Sequence, residues 1–207
     1  MIKRICILVV LGVMTVHGLA FADLGGTVFK EDFSKYEIGD PLTDWGSTEV
    51  VVIKSGDDKN WMQAQTPGIH KVEKRMTLPE SFVLTFELLT AGNKYDLLFI
   101  DGTEEIHTLS LCGYLHRDSR PKYKFQDTIV KQIDTGGKNA VDHIKIIKKN
   151  KTFKLFVNDS FVLASTPTTC GSVRGFAFKI EPTTKIGNIE IKELILIGLL
   201  AIVIVSG

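Results

Sequence analysis

The chain has 207 residues, enough for one domain or a tight pair. Its 25 Lys and Arg against 24 Asp and Glu exclude the strong basic excess that marks an electrostatic nucleic-acid binder. With 44% hydrophobic residues and only 6 Pro, it is not a disordered chain and holds the apolar material for one core.

Lys3 and Arg4 supply a positive start, residues 5–13 are apolar except for Gly12, and Ala20-Phe21-Ala22 places small residues before Asp23 in the pattern of a cleavage site. These are the three parts of a secretory signal peptide. Residues 1–22 are therefore expected to be removed, leaving a chain that starts near Asp23 in the periplasm or outside the cell. The apolar run is short of the roughly 20 residues a spanning helix needs, so no membrane-spanning segment is expected after cleavage. Removing Lys3 and Arg4 leaves 23 basic and 24 acidic side chains, formally −1.

From there the chain is a series of short β-branched and aromatic runs separated by Gly, Pro, Asn and Asp, the signature of strands. In order, the expected strands are 28–33, 49–54, 61–65, 70–76, 82–89, 95–100, 106–111, 122–125, 129–133, 142–148, 152–157, 161–164, 173–180 and 189–197. That many strands curl or split into packed layers rather than share one flat sheet. The expectation is all-β, a two-sheet antiparallel sandwich forming one domain over residues 23–198. Phe82, Leu84 and Phe86 face one way, with Val83, Thr85 and Glu87 the other. Residues 142–164 read as a three-stranded meander. Lys149-Asn150 is its first turn and Asn158-Asp159 its second, since both residues of the latter tolerate positive φ. Residues 199–207 are an apolar tail, either an added edge strand or a sticky extension. They are not a lipid-anchor signal, because no polar spacer precedes them.

Two cysteines, Cys112 and Cys170, survive processing. They are a candidate disulfide in an oxidising compartment, with two free buried thiols as the alternative. No C-x-x-C or Cys/His cluster points to zinc. The four remaining histidines, His70, His107, His116 and His143, lie in or beside strand patterns, where a structural role is the default. Trp45 and Trp61 are expected in the core. Asn150-Lys151-Thr152 and Asn158-Asp159-Ser160 are glycosylation sequons on hairpin turns. A sugar-binding surface needs aromatic faces and planar polar groups. The richest such cluster is Tyr114, His116, Arg117 and Tyr123, which Tyr95 and His107 join if the neighbouring strands align. The alternative is a solvated loop with the tyrosines as strand-end packing.

Several segments together carry a resemblance. They are Glu31-Asp32-Phe33-Ser34-x-Tyr36-x-x-Gly39-Asp40 with Trp45, then His143-Ile144-Lys145-Ile146 with Phe153-Lys154-Leu155-Phe156-Val157-Asn158, then Gly175-Phe176-Ala177-Phe178 and Gly187-Asn188-Ile189. In that order they resemble the concanavalin A-like lectin/glucanase superfamily, laminin G-like modules included. Asp159 stands where the hairpin usually has Gly. The resemblance implies a jelly-roll sandwich. It also implies, in related modules, a calcium ion fastening the first strand to the last, with Glu31, Asp32 and Asn188 at the matching positions. The opening is similar, too, to the amino-terminal module of some bacterial envelope proteins that carry a porin A-like domain, which this sequence does not contain. Laminarinase-type relatives use E-x-D-x-x-E, and this chain has no such triplet. Its nearest acidic group, Asp101-Gly102-Thr103-Glu104-Glu105, reads as a hairpin tip. A diffuse similarity to 3-keto-disaccharide hydrolases maps no active-site residue. The expected function is therefore an exported, non-catalytic module that recognises carbohydrate at the envelope or outside the cell. The alternatives are a glycan-cleaving hydrolase and a structural envelope protein that binds another protein.

Overall fold

The computed structural model describes residues 21–55, 58–90, 95–101, 104–112, 122–125, 128–129, 140–166 and 172–197. Among them the chain is an all-β sandwich of two antiparallel sheets, as the strand pattern predicts. The strands are β1 (Phe21–Glu31), β2 (Val50–Lys54), β3 (Asn60–Ala64), β4 (His70–Arg75), β5 (Phe82–Thr90), β6 (Tyr95–Asp101) and β7 (Glu104–Cys112). They continue as β8 (Lys122–Phe125), β9 (Thr128–Ile129), β10 (Val141–Lys149), β11 (Thr152–Val157), β12 (Ser160–Ser165), β13 (Gly175–Ile180) and β14 (Thr184–Ile197). The larger sheet has eight strands in the order β12-β11-β10-β5-β14-β3-β2, with β1 added on β14. The smaller has six, in the order β4-β13-β6-β7-β8-β9. No helix among the described residues is long and apolar enough to cross a membrane.

Alternation sets the faces. Phe82, Leu84, Phe86 and Leu88 of β5, Ile144 and Ile146 of β10, and Phe153, Leu155 and Val157 of β11 are all buried in the core. They meet Leu97 and Phe99 of β6 and Phe176 and Phe178 of β13. Aromatic edges join the layers: Phe86 lies 5.1 Å from Phe178 and Phe99 5.2 Å from Phe153, between ring centres. Lys148, on the inward face of β10, is buried and donates to the carbonyls of Glu80 (2.6 Å) and Asn150 (2.8 Å). Its stem closes one end of the core beside Phe82 and Phe153.

The expected Asn158-Asp159 turn is present, with both residues at positive φ (49° and 62°). Asn158 fixes it further. Its side-chain oxygen accepts from the His143 amide (2.9 Å) and its Nδ2 donates to Asp142 (2.8 Å). Among the boundaries that differ from the sequence reading, three show why. Phe33 ends no strand. It turns at φ 59°, wholly buried, held by the Glu31 carboxylate accepting its amide at 3.0 Å. The last strand begins at Thr184 rather than at 189, because its first half pairs with β5 and β3 before a bulge. The first begins at Phe21, and its pairs Phe21–Ile197 and Ala22–Leu196 lie on the leader side of the expected cleavage point.

A polar cavity on the outer face of the larger sheet

The outward positions of β5 carry Val83, Thr85 and Glu87. Glu87 is only 8% exposed although it points away from the core. Its in-register neighbours are His143 on β10 and Gly187 on β14. Just past Gly187 the register of β14 shifts, and Asn188 takes a left-handed φ of 48°. Asn tolerates that conformation better than most residues. The bulge turns the Asn188 amide outward, where its Nδ2 donates to Glu87 Oε2 at 2.8 Å.

One strand further, alternation turns Trp61 away from the core residues Met62 and Ala64. The Trp61 ring lies against Gly187: a Cβ there would come within 3.0 Å of Trp61 Cε3. Two residues earlier, Lys59 donates to both Glu87 oxygens, at 3.0 and 3.1 Å. His143 Nδ1 stands 3.9 Å from Glu87 Oε1, with its side chain 68% exposed. β14, β5 and β10 thus each bring a side chain to one point, and Lys59 reaches it from just before β3.

Here the surface sinks into a cavity of about 380 Å³ lined by Thr85, Glu87, His143, Lys145, Asp159 and Asn188. Lys145 is bonded to Asp159 at 2.8 Å. That hydrogen bond and the lysine's charge hold the Asp159 carboxyl below its ordinary range. The wall mixes fixed acceptors with fixed donors. A carboxylate has about four acceptor positions, so Glu87 keeps capacity beyond its present partners. Hydroxyl groups, each donor and acceptor at once, match such a wall.

No protein-family model and no curated protein matches this chain. Solved structures do. A protein of unknown function with a galectin-like fold from Bacillus subtilis superposes with a TM-score of 0.56 at 12% identity, covering 85% of this chain and 100% of that one. The fold is a galectin-like jelly-roll sandwich. A sialidase matches with a TM-score of 0.56 at 14% identity over 80% of this chain, which spans only 18% of the sialidase. The CBM2 module of the evolved Dit protein of Lactobacillus casei BL23 phage J-1 matches at 0.53 and 8% identity, covering 81% and 95% of the two chains. This galectin-like architecture is consistent with the concanavalin A-like resemblance drawn from the motifs.

Of the residues expected to bind sugar, Tyr95 does not line this cavity. Tyr95 is a correction: it is 1% exposed, packed 6.3 Å from Phe86 inside the core, and presents no face to a ligand. Its position is inward on β6, two residues before the core Leu97. His107 pairs by its backbone with Phe99, and Tyr123 with Leu111, so both belong to the smaller sheet. Tyr114, His116 and Arg117 lie outside the described residues, as does Cys170. Cys112 ends β7, paired by its backbone with Lys122. Trp45 lies in the core, as expected; Trp61 is buried too, but on the outer face of the larger sheet against Gly187. His70 is held by Thr66, its Nε2 3.0 Å from the Thr66 carbonyl oxygen. His143 departs from the structural default by standing open beside Glu87.

The calcium ligand set implied by the resemblance does not fit. Glu31 is buried on the face of β1 that carries Phe29 and is bonded to Lys35 at 2.8 Å. Asp32 caps the Ser34 amide at 3.0 Å. Asn188 turns to Glu87 instead. A cation would meet the Lys35 ammonium at Glu31 and an amide already engaged at Asn188. Among the described residues no three His, Cys, Asp or Glu side chains are placed to hold a metal ion. The Glu31-Asp32-Phe33-Ser34 motif is a turn device.

Sequence reasoning missed Glu87, Lys59, Lys145 and Asp159. One signal was within reach: Glu87 is the single charged residue of a strand otherwise apolar or neutral, at an outward position.

A second charged group closes the sandwich near Trp45. The Tyr36 hydroxyl donates to both Asp44 oxygens (2.8 and 2.9 Å), and Lys74 donates at 3.2 Å. Burial opposes ionisation of Asp44, but the hydrogen bonds from Tyr36 and Lys74 outweigh it and hold the carboxyl below its ordinary 3.8. A folded-state pKa below the unfolded one stabilises above the ordinary value, and that stability is lost as pH falls through the depressed value. The melting temperature is therefore expected to fall more steeply below about pH 4 in the natural protein than in Asp44→Asn. Parallel acid limbs in thermal melts would contradict this.

Proposed function

We propose that this chain is an exported carbohydrate-binding module whose ligand site is the Glu87 cavity. The observation that carries the proposal is the convergence of Glu87, Asn188 and His143, from three neighbouring strands, on one depression of the outer sheet face, with Lys59, just before β3, bonded to Glu87. Three strands fix such a site more rigidly than a loop, and preorganised polar groups lose little freedom when a ligand arrives. Fold neighbours named a sialidase, a galectin-like fold and a CBM2 module support the reading. Export rests on the leader pattern of Lys3, Arg4, the apolar run and Ala20-Phe21-Ala22.

The test is a glycan array followed by titration of the best glycan. Glu87→Gln and His143→Ala are each expected to weaken binding by about tenfold or more, equivalent to about 1.4 kcal/mol. His143 is exposed, so its variant should melt like the natural protein. The proposal fails if no glycan is retained, or if both variants bind as the natural protein does.

A further inference from the structure

Further along the same face the surface changes character. Ile147, Phe156 and Leu194 floor a groove of about 790 Å³, and Lys149, Lys151 and Lys154 stand on its rim. Elsewhere on this face Lys59, Lys145 and Lys192 have carboxylate partners, in Glu87, Asp159 and Glu190. Lys149, Lys151 and Lys154 are exposed, and among the described residues none has a carboxylate partner. Glu80 is the one acid along the groove wall. A concave apolar wall carrying unmatched ammonium groups concentrates anions.

The groove and the Glu87 cavity adjoin at one side-chain pair. Lys145 lines the cavity, and its ammonium lies 5.3 Å from the centre of the Phe156 ring, which lines the groove. From His143 to Lys149 the strand runs roughly 20 Å, so the pair of depressions accommodates an extended chain rather than one small molecule. Within the cavity Glu87 is already neutralised by Lys59 and does not repel an anionic ligand. The floor residues are recessed: Leu194 is 9% exposed, and Ile147 and Phe156 are half-buried. Phe161, 60% exposed and 5.6 Å from Phe156, stands out beside the groove, but the floor itself is recessed, and ring faces of a single polymer reach a recessed floor.

We propose that the Lys149–Lys151–Lys154 groove is an anion subsite for the carboxylate-bearing residues of an acidic polysaccharide, whose adjoining residues occupy the Glu87 cavity. This rests on the carbohydrate-binding reading of that cavity. The apolar floor takes the C–H faces of the sugar rings, and the three ammonium groups pair with uronate carboxylates. Because the rim charges are exposed, the attraction is salt-sensitive.

The test titrates the full chain with alginate, polygalacturonate and hyaluronan oligosaccharides, each beside its carboxyl-reduced neutral form. At least one acidic oligosaccharide should bind about tenfold or more tighter than its neutral form at low salt. Combining Lys149→Gln, Lys151→Gln and Lys154→Gln should abolish that preference, leaving the neutral form's affinity and the melting temperature unchanged. Equal affinity for both forms, with binding still lost in His143→Ala, overturns the anion subsite and leaves the cavity reading standing. A triple variant that keeps the preference also overturns it. If none of these oligosaccharides, acidic or neutral, binds, the anion subsite is overturned. If phosphatidylglycerol vesicles alone bind, and the triple variant releases them, the face docks on a membrane and the subsite is overturned.

Discussion

Trp45→Ala is expected to remove about 3–5 kcal/mol of stability, the range for truncating a buried large aromatic. Trp45 has no exposed surface. Its ring centre lies 5.9 Å from Phe29, 6.0 Å from Phe33 and 5.8 Å from Phe176. Phe29 belongs to the larger sheet and Phe176 to the smaller, so the indole joins both layers to the opening turn. Lys74 covers it from outside, 5.4 Å from the ring centre. Truncation leaves a void that three aromatic neighbours cannot all fill at once. Trp45→Phe is the informative companion. The Trp45 Nε1 is buried and has no acceptor among the described residues, so phenylalanine discards a donor that gains nothing while keeping the edge contacts. Urea unfolding should place the Phe variant at less than half the Ala loss. Equal losses, or an Ala loss below about 1 kcal/mol, would show that the ring does not bridge the layers.

Gly175→Ala should also destabilise strongly, by about 1–3 kcal/mol, while Gly26→Ala stays within about 0.5 kcal/mol of the natural protein. Gly175 opens β13 opposite Arg75 of β4. A Cβ there would lie 2.7 Å from the Lys74 carbonyl oxygen and 3.2 Å from Arg75 Cα. Both are backbone atoms, so no side chain can swing aside, and the two strands must separate at that rung. At Gly26 a Cβ meets nothing within 4 Å. For a chain of this size each kcal/mol moves the melting temperature by roughly 2–4 °C, so calorimetry resolves the pair. Melting temperatures within a degree of each other would contradict the close approach of β4 and β13.

The strands are legible in the sequence because their signal is local. Phe82, Leu84 and Phe86 alternate within one segment, and Asn158-Asp159 carries its turn geometry in its own residue types. What is not local is not legible. β14 starts at Thr184 because β3 and β5 supply partners from more than ninety residues away. Phe33 reads as strand by composition, yet the Glu31 carboxylate captures its amide and turns the chain. The cavity is hidden for the same reason. Glu87 and Asn188 are 101 residues apart, and Lys59 is 28 from Glu87; pairing register alone joins them. Tyr95 reads as a strand-end aromatic free to face a ligand, but the phase of β6 sends it inward with Leu97 and Phe99.

The position of β14 in the larger sheet also orders the events of folding. It touches β3, β5 and β1, so the middle of that sheet is the most carboxyl-terminal strand described. While the ribosome is still at work, β5 and β10 can pair, but the seam that unites the two flanks has not yet been made. Closure of long-range pairs is slow, and it waits here for translation to reach Thr184. Until then the two flanks of the larger sheet stay unjoined.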